Sequence, residues 1–205
     1  VGNDQDLESV TLGKRGAFEG MSAGSLFVDH TTASADVARR LFEIARRRDC
    51  SFMDAPVSGG QAGAEQGELA IMVGGDQKDY IRAEPVLSAY AKSIKRMGCV
   101  GCGQLTKMVN QICIAGLIQG LSEGLNFARA VGLDGQQIVD VISKGAAQSW
   151  QMENRSSTML AGEFEFGFAV DWMRKDLAIA MAEAKRANVP LPITEIVDQF
   201  YQEVQ

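Results

Sequence analysis

The run GQLTKMVNQICIAGLIQGLSEGLNFARAVG, residues 103–132, constrains the fold more than any other segment. It contains no proline and keeps a helical spacing of apolar residues for almost thirty positions. A helix of that length is a rod of about 45 Å. Its centre is apolar nearly all round, which predicts burial. Every segment after it is also helical in pattern: DGQQIVDVISKG, SWQMENRSSTMLAG, VDWMRKDLAIAMAEAKRANV and PITEIVDQFYQEVQ. Gly132, Gly145 and Gly162 are placed as stops, and Asp134 and Thr194 as N-caps.

Before the long run the pattern is different. SLFVDHTT (25–32), SFMDAP (51–56), ELAIMVGG (68–75) and SIKRMG (93–98) read as strands. ADVARRLFEIARRR (35–48) reads as a helix, with Val37, Leu41, Ile44 and Ala45 on one face. Pro85 is placed to open a helix over EPVLSAYA, near whose N-terminus proline is tolerated. Such alternation predicts an α/β unit with a largely parallel sheet. The chain therefore divides into α/β over 1–102 and all-α over 103–205, with no low-complexity linker, so that the long helix itself joins the halves.

Composition removes several function classes. A net charge of −6 argues against nucleic acid or an anionic membrane as the main partner. The longest apolar stretch, ICIAGLI (112–118), is far short of the roughly 20 residues of a membrane span. The opening VGNDQDLESV is polar and lacks a signal-peptide core; it starts on Val rather than Met, as a processed or truncated chain would. Four cysteines in 205 residues form no disulfide framework, which predicts a reducing cytoplasm. Cys99 and Cys102 have CxxC spacing, but a structural zinc needs about two more ligands and the only histidine, His30, is distant in sequence. A redox CxxC opens a helix after the first strand of a thioredoxin-like unit, a context missing from this pattern. No metal site is expected.

Two segments carry chemistry. DAPVSGGQAGAEQGELAIMVGG (54–75) sets Ser58 and the glycines at 59, 60, 63 and 67 after a proline, a density that brings backbone close to a ligand. It is neither a P-loop nor a GxGxxG fingerprint. A nucleophile elbow needs glycine where Pro56 stands, and its base would have to be His30. GCGQLT (101–106) imitates a dinucleotide fingerprint, yet Thr106 replaces the last glycine and the long helix fills the space where a second acidic-ended strand belongs. In the first turns of that helix Lys107, Asn110 and Gln111 share an arc of about 100°, which Ile114 and Ile118 continue. A lysine beside a buried face is either a snorkelling side chain or part of a site, and the pattern leaves both open. Gly116, Gly120 and Gly124 recur every four residues and would admit another backbone, within the chain or from a second subunit.

FVDHTT, DAPVSGGQAGAEQGELAIMVGG, GCGQLTKMVNQ and FGFAVDWMRKDLAIAMAEAKRANVPLPIT occur in the order found in the β-hydroxyacid dehydrogenases. Over essentially its whole length the chain resembles the branch of 3-hydroxyisobutyrate dehydrogenases and tartronate semialdehyde reductases. The resemblance implies a partial Rossmann domain lacking its GxGxxG-bearing first half, a connecting helix, and an all-α domain that stops short of the family's usual C-terminal end. It implies an oxidoreductase using NAD or NADP on a small carboxylate, assembled as a dimer or tetramer. Lys107 would be the catalytic residue. Ser58, Gly59 and Gly60 would hold the substrate carboxylate, and Asn110 or Gln111 would orient the substrate. Thr32 and Lys175 would meet the cofactor, with Val1 and Gly2 near a cofactor-lining loop and Phe168 as a pocket wall. The related 6-phosphogluconate dehydrogenases read Lys-x-x-His-Asn, whereas Asn110 and Gln111 occupy the last two places here. A non-catalytic scaffold and a sugar-phosphate dehydrogenase are the alternatives.

Overall fold

A computed structural model describes residues 1–165 and 167–205. The chain begins with α1 (Asp4–Leu12) and α2 (Ala17–Gly20), followed by β1 (Leu26–Asp29), α3 (Ala35–Arg46), β2 (Ser51–Asp54), β3 (Val57–Ser58), α4 (Gly60–Gln66), β4 (Leu69–Gly74), α5 (Gln77–Leu87) and β5 (Ala91–Gly98). The long helix α6 (Cys102–Ala130) leads into α7 (Gly135–Ile142), α8 (Trp150–Ala161), α9 (Val170–Arg186) and α10 (Pro192–Val204). The expected division into an α/β half and an all-α half joined by one helix is the observed architecture.

The sheet is parallel in two pairs, β1 with β2 and β4 with β5. The seam between them is antiparallel. β2 meets β4 at Asp54 and Gly74, and β3 continues along the same edge with Val57 opposite Ile71 and Ser58 opposite Ala70. A parallel return needs a crossover of roughly a dozen residues or more. The short arm through α4 only turns the chain back.

Side-chain alternation along β2 builds two cores. Phe52 faces Leu7, Phe18, Val37 and Leu41 beneath α1–α3. Met53 faces Ile71, Val73 and Leu87 beneath α5. In the helical half, α9 and α10 close on α6 through Ala115, Met173, Leu177 and Val197. Ala35, Met108 and Ala180 join the halves, the two alanines letting α3 and α9 approach α6 around the Met108 side chain.

Three expectations need correction. Pro85 does not open its helix: α5 starts at Gln77 and Pro85 lies in its last turn, where it has no N–H to give the i→i−4 ladder. Thr194 is not a cap: α10 begins at Pro192, the first helical position that proline suits, and Thr194 is buried inside it. The middle of α6 is not buried all round, because α8–α10 cover one side only, leaving Val109, Leu117 and Phe127 at 60%, 44% and 65% exposure. Among the described residues no atom lies within 4 Å of a methyl built on Gly116, Gly120 or Gly124 of that helix, so none of their backbone uses the small-residue row. Asp134 does cap α7, accepting the Gln137 N–H at 2.9 Å.

One buried group seats the connecting helix. Asp54, fully buried, accepts the Gly101 N–H at 2.8 Å and the Gln104 N–H at 2.9 Å. These are among the first amides of α6, which have no partner inside the helix, and the helix dipole favours an anion there. The approach is so close that a methyl on Gly103 would stand 2.4 Å from the Met72 carbonyl oxygen. Gly103 of the GCG triplet thus serves helix-on-strand packing. Burial pushes the Asp54 carboxyl up to about 6, against the pull of the two N–H groups. A folded pKa above the unfolded 3.8 means that the folded chain holds this proton more tightly. The contribution is complete below about pH 4 and is lost as pH rises through about 6. Asp54→Asn should remove that component from the pH dependence of urea unfolding. At pH 7 it should cost about 2–3 kcal/mol by leaving one amide without an acceptor.

Candidate active site

Lys107 lies in the second turn of α6 and is 6% exposed. Its Nζ donates to the Val57 carbonyl at 2.8 Å, one residue before Ser58. The snorkelling alternative is therefore excluded: the ammonium is directed into the protein, at the glycine turn. Burial pulls its pKa below 10.5; the Asp176 carboxylate raises it and Lys175 lowers it further.

The turn owes its shape to glycine. Gly59 has φ of 134° and Gly60 of 62°, conformations that side chains resist. Ser58 is half-buried at the end of β3, and Gly60 opens α4. Val57, Ser58, Gly59 and Gly60 thus form a continuous bend at which Lys107 is anchored.

The two amides of the helix face do different things. Gln111, 1% exposed, turns toward α9, donating Nε2 to Asp176 Oδ2 at 2.8 Å. Asn110, half-buried, donates Nδ2 to Gln111 Oε1 at 2.8 Å. Asp176 also holds Lys175, Nζ to Oδ1 at 2.8 Å, and Lys175 in turn donates to the Thr32 carbonyl at 2.5 Å. A continuous polar chain therefore runs from Asn110 through Gln111, Asp176 and Lys175 to Thr32.

Beyond that chain opens a cleft of about 540 Å³, lined by Val1, Gly2, Asp6, Thr32, Phe168, Trp172, Lys175 and Asp176. All four residues expected on the cofactor side line it, and Phe168 is exposed on its wall at φ of 57°. Gly2 lies against the indole, since a methyl there would come 2.2 Å from the Trp172 ring. Lys175 Nζ stands 5.8 Å from the centre of that ring. Lys107 and the residues of the glycine turn do not line the cleft; Asp176 connects the two regions. A cleft with an ammonium, a threonine and flat aromatic walls fits part of a polar cofactor bearing a planar ring.

Besides Asp54, two residues that hold the site carry little signal of their role in the local sequence pattern. Gln104, 1% exposed, pins the DHTT loop by accepting the Ala33 N–H at 3.1 Å and donating to the Thr31 carbonyl at 2.7 Å. Asp176 stands next to Lys175 in VDWMRKDLAIAMAEAKRANV, and that position was the one available signal. His30 serves neither metal nor hydrolysis: its ring nitrogens lie 2.6 Å from the Ala55 carbonyl oxygen and 2.9 Å from the Tyr90 hydroxyl. Among the described residues no group of three His, Cys, Asp or Glu could hold a metal ion, and no helix is long and apolar enough to cross a membrane.

The family model for the NAD binding domain of 6-phosphogluconate dehydrogenase matches residues 1–103, and that described as NAD-binding of NADP-dependent 3-hydroxyisobutyrate dehydrogenase matches 101–205. An uncharacterized oxidoreductase of Shewanella frigidimarina is 60% identical over 205 residues, all of this chain and 70% of the relative. This chain belongs to the β-hydroxyacid dehydrogenase family. The 2-(hydroxymethyl)glutarate dehydrogenase of Eubacterium barkeri, another relative of this β-hydroxyacid dehydrogenase, is 34% identical over 96% of the chain and 65% of its own length. The crystal structure of 3-hydroxyisobutyrate dehydrogenase from Salmonella typhimurium superposes with a TM-score of 0.89 at 29% identity, over 99% of this chain and 71% of the other. As a β-hydroxyacid dehydrogenase the protein is an oxidoreductase that uses NAD or NADP.

The geometry of the turn predicts unequal costs. Gly59→Ala meets both a forbidden φ and the Leu69 side chain at 3.2 Å, and should lose about 2–3 kcal/mol in thermal or urea unfolding. Gly60→Ala meets no atom within 4 Å, so it should lose only about 1 kcal/mol, from backbone strain.

Proposed function

We propose that the full-length protein interconverts a small 3-hydroxy acid, of the 3-hydroxyisobutyrate type, and its semialdehyde, with Lys107 as general base and acid. The observation that carries this reading is the buried Lys107 Nζ bonded 2.8 Å from the Val57 carbonyl, at the bend formed by Ser58, Gly59 and Gly60. The substrate carboxylate is assigned to that bend, where backbone amides can converge on an anion without side-chain obstruction. With one N–H on Val57, a neutral Lys107 keeps a lone pair for the substrate hydroxyl proton; in reduction the ammonium returns a proton to the carbonyl oxygen. The nicotinamide ring, when bound, supplies the hydride acceptor or donor. Thr32 and Lys175, with Val1 and Gly2, are its proposed neighbours.

Gln111 is locked to Asp176 inside the protein, which leaves Asn110 as the amide that faces the substrate. Asp176 holds that arrangement and helps keep Lys107 cationic. A sugar-phosphate substrate is disfavoured because Asn110 and Gln111 replace the His-Asn pair of the 6-phosphogluconate enzymes. A pure scaffold would have no need to bury a lysine against a glycine turn, since burial of an unused ammonium is costly. The exposed apolar side chains Val109, Leu117 and Phe127 on α6 support assembly of copies into a dimer or tetramer.

Lys107→Ala should lower kcat at least about 100-fold in the full-length enzyme, the lower range for loss of a general acid–base group. Binding of a short carboxylate should persist; near-normal turnover would overturn the assignment. The pH dependence gives a second test. The rate constant kcat/KM for hydroxy-acid oxidation should rise with pH and level off below 10.5, since burial lowers the lysine pKa. Asp176→Asn removes the carboxylate that raises this pKa, so the inflection should move to lower pH.

A further inference from the structure

The CxxC pair lacks a redox context in the sequence pattern, but the fold provides one. Cys99 follows β5 and Cys102 is the first residue of α6, so the pair spans a strand-to-helix turn. The Cys102 N–H donates to the Cys99 carbonyl at 3.0 Å, and the two Sγ atoms lie 3.8 Å apart. The residues between them clamp the turn from below. Val100 is buried in the first core, and the Gly101 N–H is held by Asp54. The thiols are therefore kept together on the outer side, with Cys99 exposed and Cys102 partly covered. Cys50 is buried and Cys113 lies on the exposed side of α6.

We propose that Cys99 and Cys102 form a reversible dithiol–disulfide pair, closed by a low-molecular-weight disulfide and reopened by excess thiol. The Cys99 thiolate attacks one sulfur of the external disulfide; that S–S bond breaks and one thiol leaves, taking a proton. Cys102 then gives up its proton, attacks the Cys99 sulfur of the mixed disulfide and displaces the second thiol, which takes a proton in turn. Two cysteine thiols are oxidised by two electrons, and one external disulfide is reduced to two thiols. Cys99 is the first nucleophile because it is the exposed partner; burial and the neighbouring Cys99 and Asp54 raise the Cys102 thiol pKa, while Arg39 opposes them. This inference concerns the turn alone and is independent of hydride transfer.

The test is incubation of the folded protein with oxidised glutathione, trapping of free thiols and peptide mapping by mass spectrometry. The peptide carrying Cys99 and Cys102 should lose two hydrogens and resist alkylation, and dithiothreitol should restore both thiols. In Cys102→Ser the closing step is impossible, so one glutathionyl group should remain on Cys99. In Cys99→Ser no adduct should accumulate on Cys102. Two free thiols persisting in the wild-type peptide, or a stable glutathione adduct at Cys99 despite Cys102, would overturn the proposal.

Discussion

The site depends on how the first turn of α6 is seated against the sheet. Asp54 takes two of the helix's end amides, and glycine at 103 lets the helix come down onto the Met72 carbonyl. That seating fixes the rotation of a 29-residue rod, and with it the direction in which Lys107 points. The same turn sends Gln104 to the loop after β1, so the strand that ends in Asp29 and the helix that carries Lys107 are held as one piece. Precision in this region thus begins with a carboxylate that is fully buried.

The electrostatics of Lys107 follow from its neighbours. Burial favours the neutral amine, Asp176 favours the ammonium, and Lys175 opposes it. Because Asp176 is shared among Gln111, Lys175 and the field at Lys107, the buried amide, the cleft wall and the buried lysine are coupled through one side chain. In the proposed role, a base that must also act as an acid needs a pKa within reach of the working pH, and opposing influences of this kind tune it.

What the sequence made legible was periodic or local. The spacing of 107, 110 and 111 put three polar side chains on one helical arc, and the glycines at 59 and 60 marked a turn whose backbone angles side chains resist. Helix ends were less legible. Pro85 and Thr194 carry valid terminal signals, but α5 begins eight residues before Pro85, and at α10 the competing signal of Pro192 at the first helical position wins. The antiparallel seam was hidden because β2 and β3 are one bent edge interrupted at Pro56, and only the brevity of the return through α4 sets its direction. Asp54, Gln104 and Asp176 were missed for a shared reason: their partners lie about fifty or more residues away. No local pattern encodes such pairings. The exposed side of α6 was misread because an apolar helix looks the same whether its cover comes from its own chain or is absent.

The most direct test of the central claim is a crystal structure of the full-length protein with its nicotinamide cofactor and a short 3-hydroxy acid. The account predicts the carboxylate on the bend at Ser58, Gly59 and Gly60, with the hydroxyl about 3 Å from Lys107 Nζ. A substrate whose hydroxyl faces another group, with Lys107 still on the Val57 carbonyl and out of hydrogen-bond reach, would contradict it.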